Sequence, residues 1–491
     1  MKGPRVVVIG AGAMGVSAGW HLLQQGAGDV TIIESGESPA VGTTFAGAGF
    51  VDLWSTVFDG HFSPEALPLQ TYSIDLYRRI AERDSQVQLR ERGTLFIALS
   101  DQEQAETLEP LLKHPLAHPS TREVSPREIH ELTRLVDASA VHSGVLHATG
   151  IQVEASAAVT ALADWFAELG GRLVTGATAT SVVAGDAGVE GVRTTTDFFE
   201  ADAVVLACGA WTNKLLQPFG IRLPLERYVA TRIITPPVGA PADMPTLEIG
   251  EFSALWMRGA GSALTYGNTA GYRPWISARD GEPSRRPELE ALAKACVDDV
   301  SARMARVMPG VDLSASTWVQ GTICYTPDRT FLTGAVPEVP GLFVSAGCNE
   351  GFVSHAPGLG RALADLVVEG VTDFADVSPY RVDRFGKHTY IDEEALPASP
   401  WAAARPHLRT APRASSPPSS SPGSVTSPGS HPASASPVSR QRPCRNRAVT
   451  AWSSLHGFGW ESTSRRATSS CSWTPRFGSL LSPPCLGWTA R

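Results

Sequence analysis

The first apolar run, Arg5-Val-Val-Val-Ile-Gly10, has no polar alternation, the pattern of a short parallel strand covered on both faces. It passes directly into Gly10-Ala-Gly-Ala-Met-Gly15, after which the spacing predicts a helix to about Leu23, ending near Gly26 and Gly28. Val30-Thr-Ile-Ile-Glu34 reads as a second strand. Much further on, Ala155 to Leu169 is a helical run stopped by Gly170-Gly171. A strand at Arg172–Thr175, a turn near Gly176 and a buried strand at Ala203–Cys208 running into Gly209-Ala-Trp211 follow. A last unit leads from Gly341 through Gly347-Cys-Asn-Glu-Gly-Phe352 into a helix predicted from about Pro357 to Glu369, with Gly370 as its stop. Pro357 suits a helix's first turn.

The opening unit carries specific chemistry. In G-x-G-x-x-G, Gly10 permits the tight turn, Gly12 lets a pyrophosphate approach the backbone, and Gly15 lets helix and strand pack closely. The diphosphate then meets unpaired N–H groups at the positive end of the helix. Glu34, 19 residues beyond Gly15 at a strand end, can accept both ribose hydroxyls and disfavours a 2′-phosphate, which argues against NADP. The unit alone does not separate NAD from FAD. Although uncharged, Val6–Gly28 carries six glycines and breaks into strand, turn and helix, unlike a membrane span or cleaved leader. Gly42-Thr-Thr-Phe-Ala-Gly-Ala-Gly49 is a second glycine-rich loop, in which Thr43 and Thr44 could hold another phosphate.

Composition divides the chain. Of 491 residues 43% are hydrophobic and 18% charged, an ordinary soluble composition, and the net charge of −8 gives no footprint for nucleic-acid binding. Residues 391–491 hold 21 Ser and 14 Pro, and beyond Leu396 there are eleven Arg, no Lys and one acid, Glu461. Such a stretch cannot bury enough apolar surface to offset its ordering entropy, so a disordered tail is expected. It reads as a coding-frame accident or an added extension more than as an interaction arm. Seven scattered cysteines without C-x-x-C or metal-ligand spacing read as reduced thiols of a cytoplasmic protein that binds no metal.

Taken together, the fingerprint with Glu34, "GTTFAGAG", "VVLACGAW", "YTPD" (Tyr325–Asp328) and "VSAGCNEGFVSHAPGLGRALADL" resemble the FAD-dependent amine oxidoreductases. That family includes D-amino-acid oxidase, glycine oxidase, sarcosine oxidase and the dimethylglycine and sarcosine dehydrogenases. The resemblance covers roughly residues 5–375. It implies an α/β architecture: a Rossmann-like FAD-binding domain from 1–50, 145–215 and 320–375, and a mixed-sheet α+β substrate domain from 51–144 and 216–319. Implied FAD contacts are Gly10, Ala11, Gly12, Ala13, Met14, Gly15, Glu34, Ser35, Thr43, Thr44, Ala179, Ala207 and Gly209, with Asn349, Glu350, Gly351, Phe352 and Val353. The implied reaction is oxidation of a C–N bond in a secondary amine or modified amino acid by hydride transfer to flavin N5. The resulting imine hydrolyses, and O2 or another acceptor reoxidises the flavin. No nucleic-acid or membrane partner is implied.

Four departures qualify the resemblance. Dehydrogenases of the family often carry a flavin-linked histidine where this chain has Ala46, and monomeric sarcosine oxidases carry a flavin-linked cysteine where it has Gly321. Noncovalent FAD is therefore expected. The arginine that holds the substrate carboxylate in glycine and D-amino-acid oxidases is Ile323, and the oxygen-activating lysine of sarcosine oxidases aligns with Thr265. Glu350, His355, Arg273 and Thr265 are the candidate catalytic residues, with His61 and Arg258 as further polar candidates. Trp54, Phe58, Tyr72, Trp256, Tyr266, Tyr272 and Trp275 are aromatics expected near the flavin. An NAD-dependent dehydrogenase and a nonenzymatic flavin-binding scaffold stay open as alternatives at this point.

Overall fold

The computed structural model describes residues 3–51, 65–114, 117–250, 255–268, 272–284 and 286–386. The tail from 391, and with it Trp54, Phe58 and His61, lies outside the described residues. A six-stranded sheet holds the opening strand, Arg5–Ile9, near its centre. Parallel partners are Asp29–Ile33 on one side and Ala203–Leu206 on the other. Leu342–Ala346 continues the parallel order, and antiparallel Leu332–Ala335 closes that edge. Arg172–Val174 closes the other edge. Val6 and Val8 pack under helices while Val7 and Ile9 pack on the opposite face with Val182, Val192 and Phe199. That two-sided burial is why the strand shows no polar alternation.

Three helices, Ala13–Gln24, Ala155–Glu168 and Phe352–Val368, contribute to the core on the first face. The first and last approach closely: a Cβ on Gly360 would lie 2.8 Å from the Ser17 backbone. The last helix begins at Phe352, five residues before Pro357, which therefore sits inside it and not in its first turn. A proline there removes the N–H that Val353 O would accept. The neighbouring helix Ala66–Arg83 repairs the break from both sides. Tyr77 OH donates to Val353 O at 2.9 Å, and Gly358 N–H donates to Ser73 Oγ at 3.2 Å. Burial pushes the Tyr77 hydroxyl far up, which keeps it a donor.

The second large sheet is mixed, with nine strands. Glu226–Ile234 pairs antiparallel with Thr317–Tyr325 along nine residues of one edge. Its other edge meets Ala263–Gly267 and the short Arg273–Pro274. Leu255–Ala260, Thr246–Ile249, Thr94–Ala98, Ser143–His147 and Arg122–Val124 continue the order, with Thr246–Ile249 and Thr94–Ala98 pairing in parallel. One face packs on helix Glu290–Val307 through Val300, Met304 and Val307. Among the described residues no helix is long and apolar enough to cross a membrane.

Among the described residues, His21 and His355 have no exposed surface. His21 Nδ1 donates to Ser17 O at 2.6 Å and its Nε2 accepts from Tyr72 OH at 2.8 Å. His355 Nδ1 donates to Gly351 O at 2.8 Å, and its ring lies against Phe331. Burial lowers His21 to about 3 and His355 to about 4 from the ordinary 6.5.

Tyr77→Phe strands the Val353 carbonyl and is expected to cost about 1–3 kcal/mol, read as a lower urea midpoint at unchanged slope. Both histidines have folded values below the unfolded one. The stability they contribute is therefore complete above the unfolded pKa and is lost as pH falls below it towards the folded values. Between pH 7 and pH 5 each is expected to remove about 2 kcal/mol. His355→Gln should flatten that dependence by its share, and identical slopes for both proteins would refute the assignment.

Candidate functional site

At the carboxyl ends of the central parallel strands lies a cavity of about 420 Å³. Gly10, Gly12, Ala13, Met14, Glu34, Ser35, Thr43, Thr44, Ala179, Ala207, Gly209 and Phe352 all reach its wall. Ala11 and Gly15 stand behind it, and Asn349, Glu350, Gly351 and Val353 are not part of it. The sequence reading did not single out Cys208, Trp211, Lys214, Thr322, Cys324 or Cys348 as cofactor contacts, and the structure adds them to the wall.

The three fingerprint glycines differ in what they need. Gly10 has φ +106°, and a Cβ there would lie 2.5 Å from Ala207 O. A Cβ on Gly15 would lie 1.7 Å from Gly10 O. Gly12 is the N-cap of the first helix in ordinary extended backbone, and a Cβ would touch only Thr44 Oγ1, at 3.3 Å. Packing alone does not demand glycine at position 12, where only the Thr44 hydroxyl would have to give slightly. No side chain of Gly12 caps that helix, and Ala13 N–H donates to Thr44 Oγ1 at 3.1 Å. Glu34 accepts from Ala11 N–H at 2.9 Å and Gly36 N–H at 2.6 Å, which fixes its carboxylate at the cavity wall. The donor-rich helix end and the acidic edge fit the diphosphate and ribose of a dinucleotide.

The loop Gly42–Gly49 leads from this cavity to the second large sheet. Thr43 Oγ1 donates to Thr322 O at 2.6 Å. Phe45 O accepts from Arg232 Nη2 at 3.1 Å. A Cβ on Gly321 would lie 2.8 Å from Ala46 Cβ, so positions 46 and 321 face one another. Ala48 O accepts from Arg258 Nε at 2.5 Å, and Arg258 pairs with Glu154 at 2.9 Å.

Register explains the cluster. Directly opposed strand residues share a face, and Arg232 opposes both Gly267 and Val319. Trp256 opposes Gly267, and Arg258 opposes Thr265. All lie on the face that carries the loop. Arg232 Nη1 donates to Thr265 Oγ1 at 3.0 Å, while its buried Nε has no partner. Among the described residues no carboxylate pairs with Arg232; burial first and Arg258 second lower its pKa to about 10. Arg232 escaped the sequence reading because only strand register reveals its neighbours.

Other candidates sit elsewhere. His355 is packed in the core beside Phe331. Arg273 pairs with Asp280 and covers Trp275. Glu350 is exposed and accepts from Tyr325 OH. Tyr72 binds His21, and Tyr266 is buried on the opposite side, in the core with Val300 and Met304. Tyr272 is half-buried and packs on the core that includes Cys324 and Cys348.

Known proteins share this design. A family described as DAO, FAD dependent oxidoreductase, matches residues 5–366. 4-Methylaminobutanoate oxidase (formaldehyde-forming) of Paenarthrobacter nicotinovorans is 27% identical over 394 residues, covering 78% of this chain and 46% of that protein. Mitochondrial dimethylglycine dehydrogenase of Rattus norvegicus is 26% identical over 395 residues, covering 78% and 45%. The chain thus spans about half the length of these two relatives. Among solved structures, L-proline dehydrogenase from P. horikoshii has a TM-score of 0.67 at 22% identity, covering 78% of this chain and 98% of that one. Glycine oxidase from Geobacillus kaustophilus has a TM-score of 0.65 at 23% identity, covering 78% and 99%. At such identities the structural likeness is one of fold. The family match decides the dinucleotide that the fingerprint left open in favour of FAD, and this chain belongs to the DAO family of FAD dependent oxidoreductases.

Proposed function

We propose that the chain oxidises a C–N bond of a secondary amine or modified amino acid that bears a carboxylate, using noncovalently held FAD. One observation carries the reading. Consecutive residues of a single loop tie the dinucleotide cavity to a cation-bearing sheet face: Thr44 at the first helix, Phe45 on Arg232, Ala46 against Gly321. The names of relatives acting on 4-methylaminobutanoate and dimethylglycine support a substrate of this class.

The residues that would hold FAD are Gly10 to Gly15, Glu34, Ser35, Thr43, Thr44, Ala179, Ala207 and Gly209, with Phe352 closing the wall. The chemistry FAD supplies when bound is acceptance of a hydride from the carbon beside nitrogen. The protein contributes orientation and electrostatics. Arg232, half-buried and held by Thr265 and Phe45 O, offers a guanidinium to the substrate carboxylate. The same positive charge disfavours a second cation nearby, so the amine is held neutral with its nitrogen lone pair free. Thr265 keeps Arg232 in place and is a positioning residue. Water then hydrolyses the released imine. O2 and another acceptor are both compatible with these residues as the route of reoxidation.

Gly12→Val should give folded protein without FAD, checked by circular dichroism and flavin content; stoichiometric FAD in that variant refutes the site. Anaerobic reduction by a panel of N-alkyl amino acids and simple amines identifies the substrate, and readmission of air separates oxidase from dehydrogenase. Arg232→Met is expected to raise KM for carboxylate-bearing substrates about 10- to 100-fold, with little change for amines lacking the carboxylate. Equal loss for both classes overturns the anchoring role.

A further inference from the structure

Two of the thiols in the cavity wall form a pair that FAD binding leaves unexplained. Cys324 is the penultimate residue of the strand Thr317–Tyr325, and Cys348 follows Gly347, whose φ of +69° turns the chain after Leu342–Ala346. Cys324 N–H donates to Cys348 Sγ at 3.2 Å, and Cys348 Sγ donates to Cys324 O at 3.3 Å. Asn349 N–H donates to that same carbonyl at 3.0 Å, so the two main chains are clamped side by side. The neighbouring Cys348 thiol holds the Cys324 thiol below its ordinary range, while Cys324 and burial push Cys348 up. Both residues are buried, at 1% and 4% exposure, yet both reach the cavity wall. A small solute therefore has a route to them through the space the dinucleotide would fill. Cys208 lines the same cavity but donates to Ile9 O at 3.3 Å, and burial pushes it up to about 12.

We propose that Cys324 and Cys348 are a redox-convertible dithiol that a peroxide closes to a disulfide when the cleft holds no cofactor. The Cys324 thiolate attacks one peroxide oxygen, the O–O bond breaks, and a sulfenic acid forms as hydroxide leaves and takes up a proton to become water. Cys348 sulfur then attacks the Cys324 sulfur, the S–S bond forms and a second water departs. Two thiols are oxidised by two electrons and one hydrogen peroxide is reduced to two waters. Bound FAD shields the pair, so the modification marks the unloaded chain. The shielding rests on the proposed cofactor site; the disulfide itself does not.

The test treats the full-length chain with hydrogen peroxide, as purified with FAD and after flavin removal, and maps disulfides by peptide mass before and after dithiothreitol. Expected is a reducible Cys324–Cys348 crosslink in the stripped chain, formed roughly tenfold more slowly with FAD bound. Cys348→Ser should lose the crosslink and leave Cys324 reactive to a sulfenic-acid trap, while Cys208→Ser should crosslink as the parent does. Absence of the crosslink in the stripped chain, or partners other than these two, overturns the proposal. Equal rates in both states, with FAD content verified, overturn the shielding. A purified chain that carries no FAD and cannot be loaded, yet forms the crosslink, overturns the cofactor reading and leaves the dithiol standing.

Discussion

A helix whose N-cap is glycine leaves backbone N–H groups that must find acceptors beyond the cap, and two of the long described helices begin this way. The helices Ala13–Gln24 and Phe352–Val368 both start at a glycine whose position supplies no side-chain cap. Their close crossing near Ser17 and Gly360 fixes them to one another, and the all-apolar parallel strands fix the first of them to the sheet. The donors at the fingerprint helix start open onto a cavity edged by Glu34. Affinity for an anionic, ribose-bearing group follows from backbone geometry before any catalytic side chain is considered.

The second large sheet brings two arginines to the face that carries the loop. Arg258 pairs with Glu154 and donates to Ala48 O and Gly259 O. Among the described residues Arg232 makes only neutral hydrogen bonds and keeps its Nε without a partner. An arginine held this way costs stability in isolation.

Much of this was legible in the sequence, and the gaps have physical causes. The opening strand, turn, helix and acid were readable because each is dictated locally, by β-branching, by glycine sterics and by helix periodicity. The amino end of the last helix was misplaced because Pro357 ordinarily marks a first turn; here Tyr77 and Ser73, nearly 300 residues away, satisfy the groups it disrupts. Nothing local fixes a role for His355; in the fold its Nδ1 donates to Gly351 O, its ring lies against Phe331, and its buried Nε2 has no hydrogen-bond partner among the described residues. Arg232 could not be found locally, since its importance comes from Thr265 across one strand and Phe45 across a loop.

The facing of Ala46 and Gly321 has a consequence for how this scaffold can change. Both positions draw on one small volume, so a bulky residue at either site evicts the other or displaces the loop. A side chain added at 321 alone meets the Ala46 methyl, so enlargement there requires the loop to shift or its partner to shrink.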